Sequence, residues 1–191
     1  MATHTDTKST YRYKTGTNRL GLWLFLISDA FVFGGLLVAI FYLLGGLRPE
    51  LNQLLGLVVT VILLISSFFM NRAETSMAYG DTKGFLNGTL ITMILGALFL
   101  IGVVGLEWQI APFSPSDNAM ASVFYMMTGF HAFHVLTGVI FLAIVYRNGR
   151  KGLYTQEKHW PVEAAAVYWH FIDVVWVFFY PALYLMGSPV G

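Results

Sequence analysis

Along the chain, long uncharged apolar runs alternate with short polar joints. Five runs stand out, at residues 20–44, 51–70, 85–106, 120–146 and 162–186. Each meets or exceeds the ~20 residues that an α-helix needs to cross ~30 Å of hydrocarbon. Lipid offers no partner to a backbone N–H or C=O, so runs of this kind are helices. The pattern predicts an all-α membrane protein, a bundle of five transmembrane helices. A polar N-terminal segment (1–19) precedes a single membrane domain (20–191), and no room is left for a soluble domain. The joints EWQIAPFSPSDNA (107–119) and RNGRKGLYTQEKHWP (147–161) read as ordinary loops with turn chemistry.

Composition agrees: 57% of the residues are hydrophobic and 11% charged, about half the charged fraction usual in a soluble domain. The placement of the basic residues sets the orientation. Lys8, Arg12, Lys14 and Arg19 precede the first span, Arg72 and Lys83 follow the second, and Arg147, Arg150, Lys151 and Lys158 follow the fourth. The other side receives only Arg48. This bias puts the N-terminus in the cytoplasm and the C-terminus outside. The first 19 residues lack an apolar core and so are no cleavable signal, which leaves the first span to direct insertion. The absence of cysteine excludes disulfides, iron–sulfur clusters, covalently attached haem and thiolate copper sites. No phosphate loop, internal repeat or nucleic-acid patch is present.

Against this background the ionisable residues inside the spans stand out, because charge in hydrocarbon is costly and marks function or pairing. They are Asp29 in the first span, His131 and His134 in the fourth, and Glu163, His170 and Asp173 in the fifth. At 1.5 Å per residue, Asp29 lies ~14 Å from the cytoplasmic end of its span, His134 ~18 Å, His170 ~12 Å and Asp173 ~16 Å. Glu163, His170 and Asp173 share an arc of ~80° on one helix face. That face must look into the protein, at another subunit or into a hydrated or lipid-filled cleft. Three chemistries fit. His134 and His170 could ligate a b-type haem; carboxylates and imidazoles at mid-depth could carry protons or ions; or the groups form a structural and inter-subunit polar network. The last is preferred, because Asp29 and Asp173 offer the imidazoles simpler partners than iron. A catalytic core of two haems and a copper needs about six histidines, more than the three inside the spans. Glu74 and Glu107, at span boundaries, are expected to reach water, and Trp108, Tyr146 and Trp160 to mark the interfaces. Gly34, Gly35 and Gly129 permit close helix contact.

The segments NRLGLWLFLISDAFVFGGLL (18–37), TLITMILGALFLIGVVGLEW (89–108), GFHAFHVLTGVIFL (129–142) and VEAAAVYWHFIDVVWVFFYPALYL (162–185) follow one another in this order. Together they resemble subunit III of the haem–copper terminal oxidases, the cytochrome c and quinol oxidases of aerobic respiration. The resemblance implies a proton-pumping complex in which this subunit has no catalytic residue and binds no cofactor of its own. Haems and copper would sit in the partner subunit I, which this chain would stabilise while supporting proton uptake. Subunit II is a further partner, and a small subunit IV or a respiratory supercomplex is allowed. The resemblance also implies a V-shaped cleft between helices 1–2 and helices 3–5 that holds phospholipid, with Arg19, Trp23 and Arg72 near the phosphate level. The mitochondrial-like version has seven spans and a buried glutamate where Asp29 stands, whereas five spans and an aspartate occur in bacterial members. The expected location is therefore the bacterial plasma (inner) membrane. Alternatives are a haem b membrane anchor of a quinone-linked dehydrogenase and a small proton-coupled transporter. The transporter is disfavoured because no span is broken at mid-membrane. Within the chain, Asp29 is expected to be shielded and paired. His170 and Asp173 are expected to turn toward the fourth span, with His134 in reach of one of them.

Overall fold

The computed structural model describes residues 3–44 and 47–189, without the side chains of residues 3–10 (Lys8 among them), Arg12, Leu44, Leu47 and Pro189. Among the described residues, five helices are long and apolar enough to cross a membrane. These are α1 (Thr3–Leu44), α2 (Gln53–Ala78), α3 (Thr82–Leu100), α4 (Ala119–Arg150) and α5 (Trp160–Tyr180). Side-chain oxygens cap three of them: Asn52 accepts from the N–H of Leu55 at 3.1 Å, Asp81 from Gly84 at 3.0 Å and Asn118 from Ala121 at 2.8 Å. Gly80, at φ 81°, makes the tight turn from α2 to α3, and Gly152, at φ 71°, follows α4. A residue with a Cβ is strained there.

Two helices end in a wider π turn. α3 continues as Ile101–Glu107 and closes on Trp108–Ile110, while α5 continues as Pro181–Leu185. In α5 the cause is Pro181, which has no N–H to donate and whose ring crowds the preceding turn. The N–H of Met186 then reaches back to the Pro181 carbonyl at 2.9 Å. Beyond it, β2 (Ser188–Pro189) pairs in parallel with β1 (Leu47–Arg48), and Arg48 donates to the Tyr184 and Gly187 carbonyls at 3.0 and 3.2 Å. The end of α5 is thus tied to the connection between α1 and α2.

α2 and α3 form the tightest pair. Small residues allow this: a Cβ placed on Gly88 would sit 2.8 Å from the Ala73 methyl and 3.0 Å from the Phe69 carbonyl. α5 packs against α2, α4 and α1 and is the most buried of the five helices. Its Trp169 fills a slot left by two glycines, since a Cβ on Gly96 would lie 2.5 Å from the indole and one on Gly138 3.1 Å. The indole N–H donates to Ser66 Oγ at 3.0 Å.

α1 is the least buried helix. It buries Leu26, Phe33 and Ile40, spaced by seven, with Asp29 and Leu36 half-buried between them and Leu22 half-buried just before. That narrow seam, of the coiled-coil type, lies against α4 and α5 rather than against α2. The expected grouping of helices 1 and 2 as one arm is therefore corrected. The turn at Gly80 and the small residues of α2 commit that helix to α3, and the seam of α1 packs against α4 and α5.

Candidate functional site

The polar side chains of the bundle gather around α5 in three places. The first is the α1–α4 contact. His134 is buried on α4, and its Nδ1 lies 2.8 Å from the Phe130 carbonyl. A carbonyl can only accept, so Nδ1 carries a proton. Nε2 lies 3.3 Å from Asp29 Oδ2, a close ionic contact without the alignment of a hydrogen bond. Asp29 is shielded, with its side chain 17% exposed. Phe33 packs edge-on to the His134 ring at 4.9 Å.

The second place is the α2–α5 contact. Thr60, Ser67 and Glu74 recur every seven residues on α2, as do Glu163, His170 and Val177 on α5. Antiparallel packing brings the two series together. The Trp176 indole donates to Thr60 Oγ1 at 2.9 Å, Ser67 Oγ and His170 Nδ1 are 2.6 Å apart, and Glu74 lies near Glu163 and His159. Asp173 is buried beside Ser67, and neither of its oxygens has a hydrogen bond of good geometry among the described residues. At the basic end Glu163 ties α1 to α5 through Arg19 Nη2 at 2.7 Å and accepts a contact from His159 Nε2 at 3.3 Å. The Arg19 guanidinium also covers the Trp160 ring at 5.5 Å.

The third place is the opposite end, where the two π turns face each other. The Tyr184 hydroxyl hydrogen-bonds to Glu107, whose other oxygen is unbonded among the described residues. Glu107 is 1% exposed, so the expectation that it reaches water is overturned. A π turn holds an extra residue, which rotates the side chains beyond it and points Glu107 inward. Between these places sits His131, fully buried, its ring 4.9 Å from Trp176 and 5.6 Å from Phe99.

The sequence profile described as cytochrome c oxidase subunit III matches residues 3–188. The chain belongs to the cytochrome c oxidase subunit III family. Curated relatives agree. The cytochrome c oxidase subunit 3 of Thermostichus vulcanus is 36% identical over 175 residues, 87% of this chain and 86% of the relative. That of Podospora anserina is 37% identical over 182 residues (88% of this chain, 67% of the relative), and that of Equus caballus 38% over 183 (89% and 70%). The family makes this chain a multi-pass membrane component of an oxidase complex, associated with other oxidase subunits.

Within this subunit III bundle, two of the pairings expected from sequence are corrected. His134 meets Asp29, not His170 or Asp173, and His170 meets Ser67 of α2, not α4. α4 and α5 do pack together, but α1 covers the polar edge of α4 and α2 covers that of α5. The residues do not fit a haem clamp. Each of the two imidazoles is tied to a different helix, His134 to Asp29 on α1 and His170 to Ser67 on α2. Of the lipid candidates, Arg19 is engaged by Glu163, Trp23 is 56% exposed on α1, and Arg72 borders a surface hollow with Tyr79 and Asp81. Trp108 is more than an interfacial ring, since its indole donates to Thr128 Oγ1 at 3.1 Å. Thr60, Ser66, Ser67 and Tyr184 escaped the sequence reading, although the seven-residue spacing of Thr60, Ser67 and Glu74 was there to be seen.

Proposed function

We propose that the chain is the non-catalytic subunit III of a proton-pumping haem–copper terminal oxidase in a bacterial plasma membrane, with its N-terminus in the cytoplasm. In this reading it stabilises catalytic subunit I, which holds the haems and copper, contacts subunit II, holds phospholipid at its surface and helps keep proton uptake fast. The observation that carries the reading is the family match along nearly the whole chain. The site supports it. Asp29, His134 and His170 are spent on contacts between helices and Asp173 is buried beside Ser67, which is structural chemistry rather than ligation or substrate binding. Deleting the gene and purifying the remaining oxidase tests the proposal. Haem and copper content and the initial turnover rate should persist, while activity should decay faster during sustained turnover. A b-type Soret band in the chain purified alone would overturn it in favour of the haem anchor.

A further inference from the structure

One stripe of α5 is left uncovered by the bundle. Trp169 and Trp176 turn toward α2, and Tyr168 and Phe171 toward α1, where they meet Phe25 and Phe33 at 6.3 and 6.0 Å. Because α1 and α2 are not packed together, the strip of α5 between them stays open. It is formed by Val167, His170, Val174 and Val177, with the last two 54% and 46% exposed. All of it is apolar except His170. That imidazole sits ~15 Å from the start of α5 at the helical rise per residue, too deep for a lipid headgroup. Its Nδ1 is engaged by Ser67, but Nε2 has no partner among the described residues and the ring is half-exposed on the stripe.

An acyl chain can cover the valines but cannot bond an imidazole nitrogen, and a polar atom left facing hydrocarbon is strongly unfavourable. A different surface shows the contrast. The groove between α3 and α4 lined by Leu100, Ile101, Gly105, Gly129 and Phe133 has almost no polar wall, and lipid suits it fully. The α5 stripe demands an occupant that brings its own hydrogen-bonding group to mid-membrane depth. Only a protein helix does that.

We infer that the Val167–His170–Val174–Val177 stripe is the docking surface for a transmembrane helix of another oxidase subunit, and that this helix places a hydroxyl or amide side chain on Nε2 of His170. Either group serves both tautomers, donating to a bare Nε2 or accepting from a protonated one. The inference rests on the oxidase reading and adds to it a face and a contact. His170 is here a positioning residue for assembly and takes no part in oxygen chemistry.

The test uses the intact oxidase in its own membrane. A photoreactive benzoylphenylalanine is placed at Val174, at Phe178 beside the stripe, and at Phe31 on the far side of α1, which is 78% exposed. After irradiation, adducts are identified by mass spectrometry. Positions 174 and 178 should join covalently to a transmembrane segment of another oxidase subunit, and position 31 should not. Lipid-only adducts at 174 and 178 in a complex that still contains the chain overturn the docking surface and leave the oxidase reading intact. A chain that fails to co-purify with the haem-containing oxidase overturns both. Adducts to a second copy of this chain overturn the proposed occupant. In parallel, His170→Leu should lower retention of the chain through a detergent wash about tenfold, and His170→Gln should restore most of it. Equal retention of His170→Leu and the native protein overturns the hydrogen bond.

Discussion

Separating α1 from the bundle means breaking the contact between Asp29 and His134, and a double-mutant cycle on these two residues measures it. The groups lie 3.3 Å apart with side chains 17% and 8% exposed, so solvent weakens the attraction little. Polar contacts between membrane helices couple by ~0.6 kcal/mol on average and up to ~1.7, and an imidazole–carboxyl pair this well shielded belongs at the upper end. We expect a coupling of about 1.5 kcal/mol. Asp29→Ala alone should cost about 2–3 kcal/mol, because it adds an unpaired, buried Nε2 to the lost contact. His134→Ala should cost a similar amount, and the double variant clearly less than the two together. The readout is tryptophan fluorescence of the purified chain in mixed micelles, followed as the fraction of denaturing detergent is raised. Strictly additive effects, with coupling below ~0.3 kcal/mol, would refute the pairing argument. In the assembled oxidase, Asp29→Ala should leave oxygen reduction possible while shortening the lifetime of the complex in turnover.

Three further outcomes follow from the packing. Tyr184→Phe removes the only hydroxyl bonded to Glu107 among the described residues and should cost about 1–3 kcal/mol. The double variant with Glu107→Leu should recover most of this in the same fluorescence titration, and failure to recover would show that Glu107 acts elsewhere. Gly88→Val forces apart α2 and α3, whose Ala73 methyl would lie 2.8 Å from the first added carbon, at about 1–3 kcal/mol. Ala73→Gly should partly rescue it, as read by the same midpoint. Arg19→Gln should cost under ~1 kcal/mol at low salt and still less at high salt, since the arginine side chain is 56% exposed. A large, salt-independent loss would show that Arg19 acts through something other than its pairing with Glu163.

The spans were readable because apolar length alone decides them, and the helices outrun the spans only where polar residues such as Glu74 and Arg147 extend them beyond the hydrocarbon. That Asp29 would be shielded and paired was also readable, from the energetic penalty of a bare carboxyl in lipid. Its partner was not. A short joint between the fourth and fifth spans argued for His134 near His170, and the two helices are indeed neighbours. Adjacency fixes no rotation, however, and the seam of Leu26, Phe33 and Ile40 delivers Asp29 to His134 first. Ser67 was passed over because it cannot ionise, although its place in a series with Thr60 and Glu74 matched the spacing on α5. Glu107 was misread because nothing in IGVVGLE announces a π turn, and one extra residue per turn separates a solvated glutamate from a buried one.

The narrow seam of α1 also bears on how the protein is made. α1 leaves the ribosome before α2–α5, yet its contacts lie on α4 and α5, which are made after α2 and α3. Through most of translation it must wait in the bilayer, or in the insertion machinery, with Asp29 lacking the His134 imidazole that it later meets. The chain is in this sense an arc that closes only when α4 and α5 arrive, and an intermediate halted after α3 carries an orphan carboxyl in hydrocarbon. A truncation ending at residue 114 should therefore be degraded faster than the same truncation carrying Asp29→Leu, as pulse-chase labelling would show. Equal lifetimes would mean that α1 is sheltered by something other than its own chain.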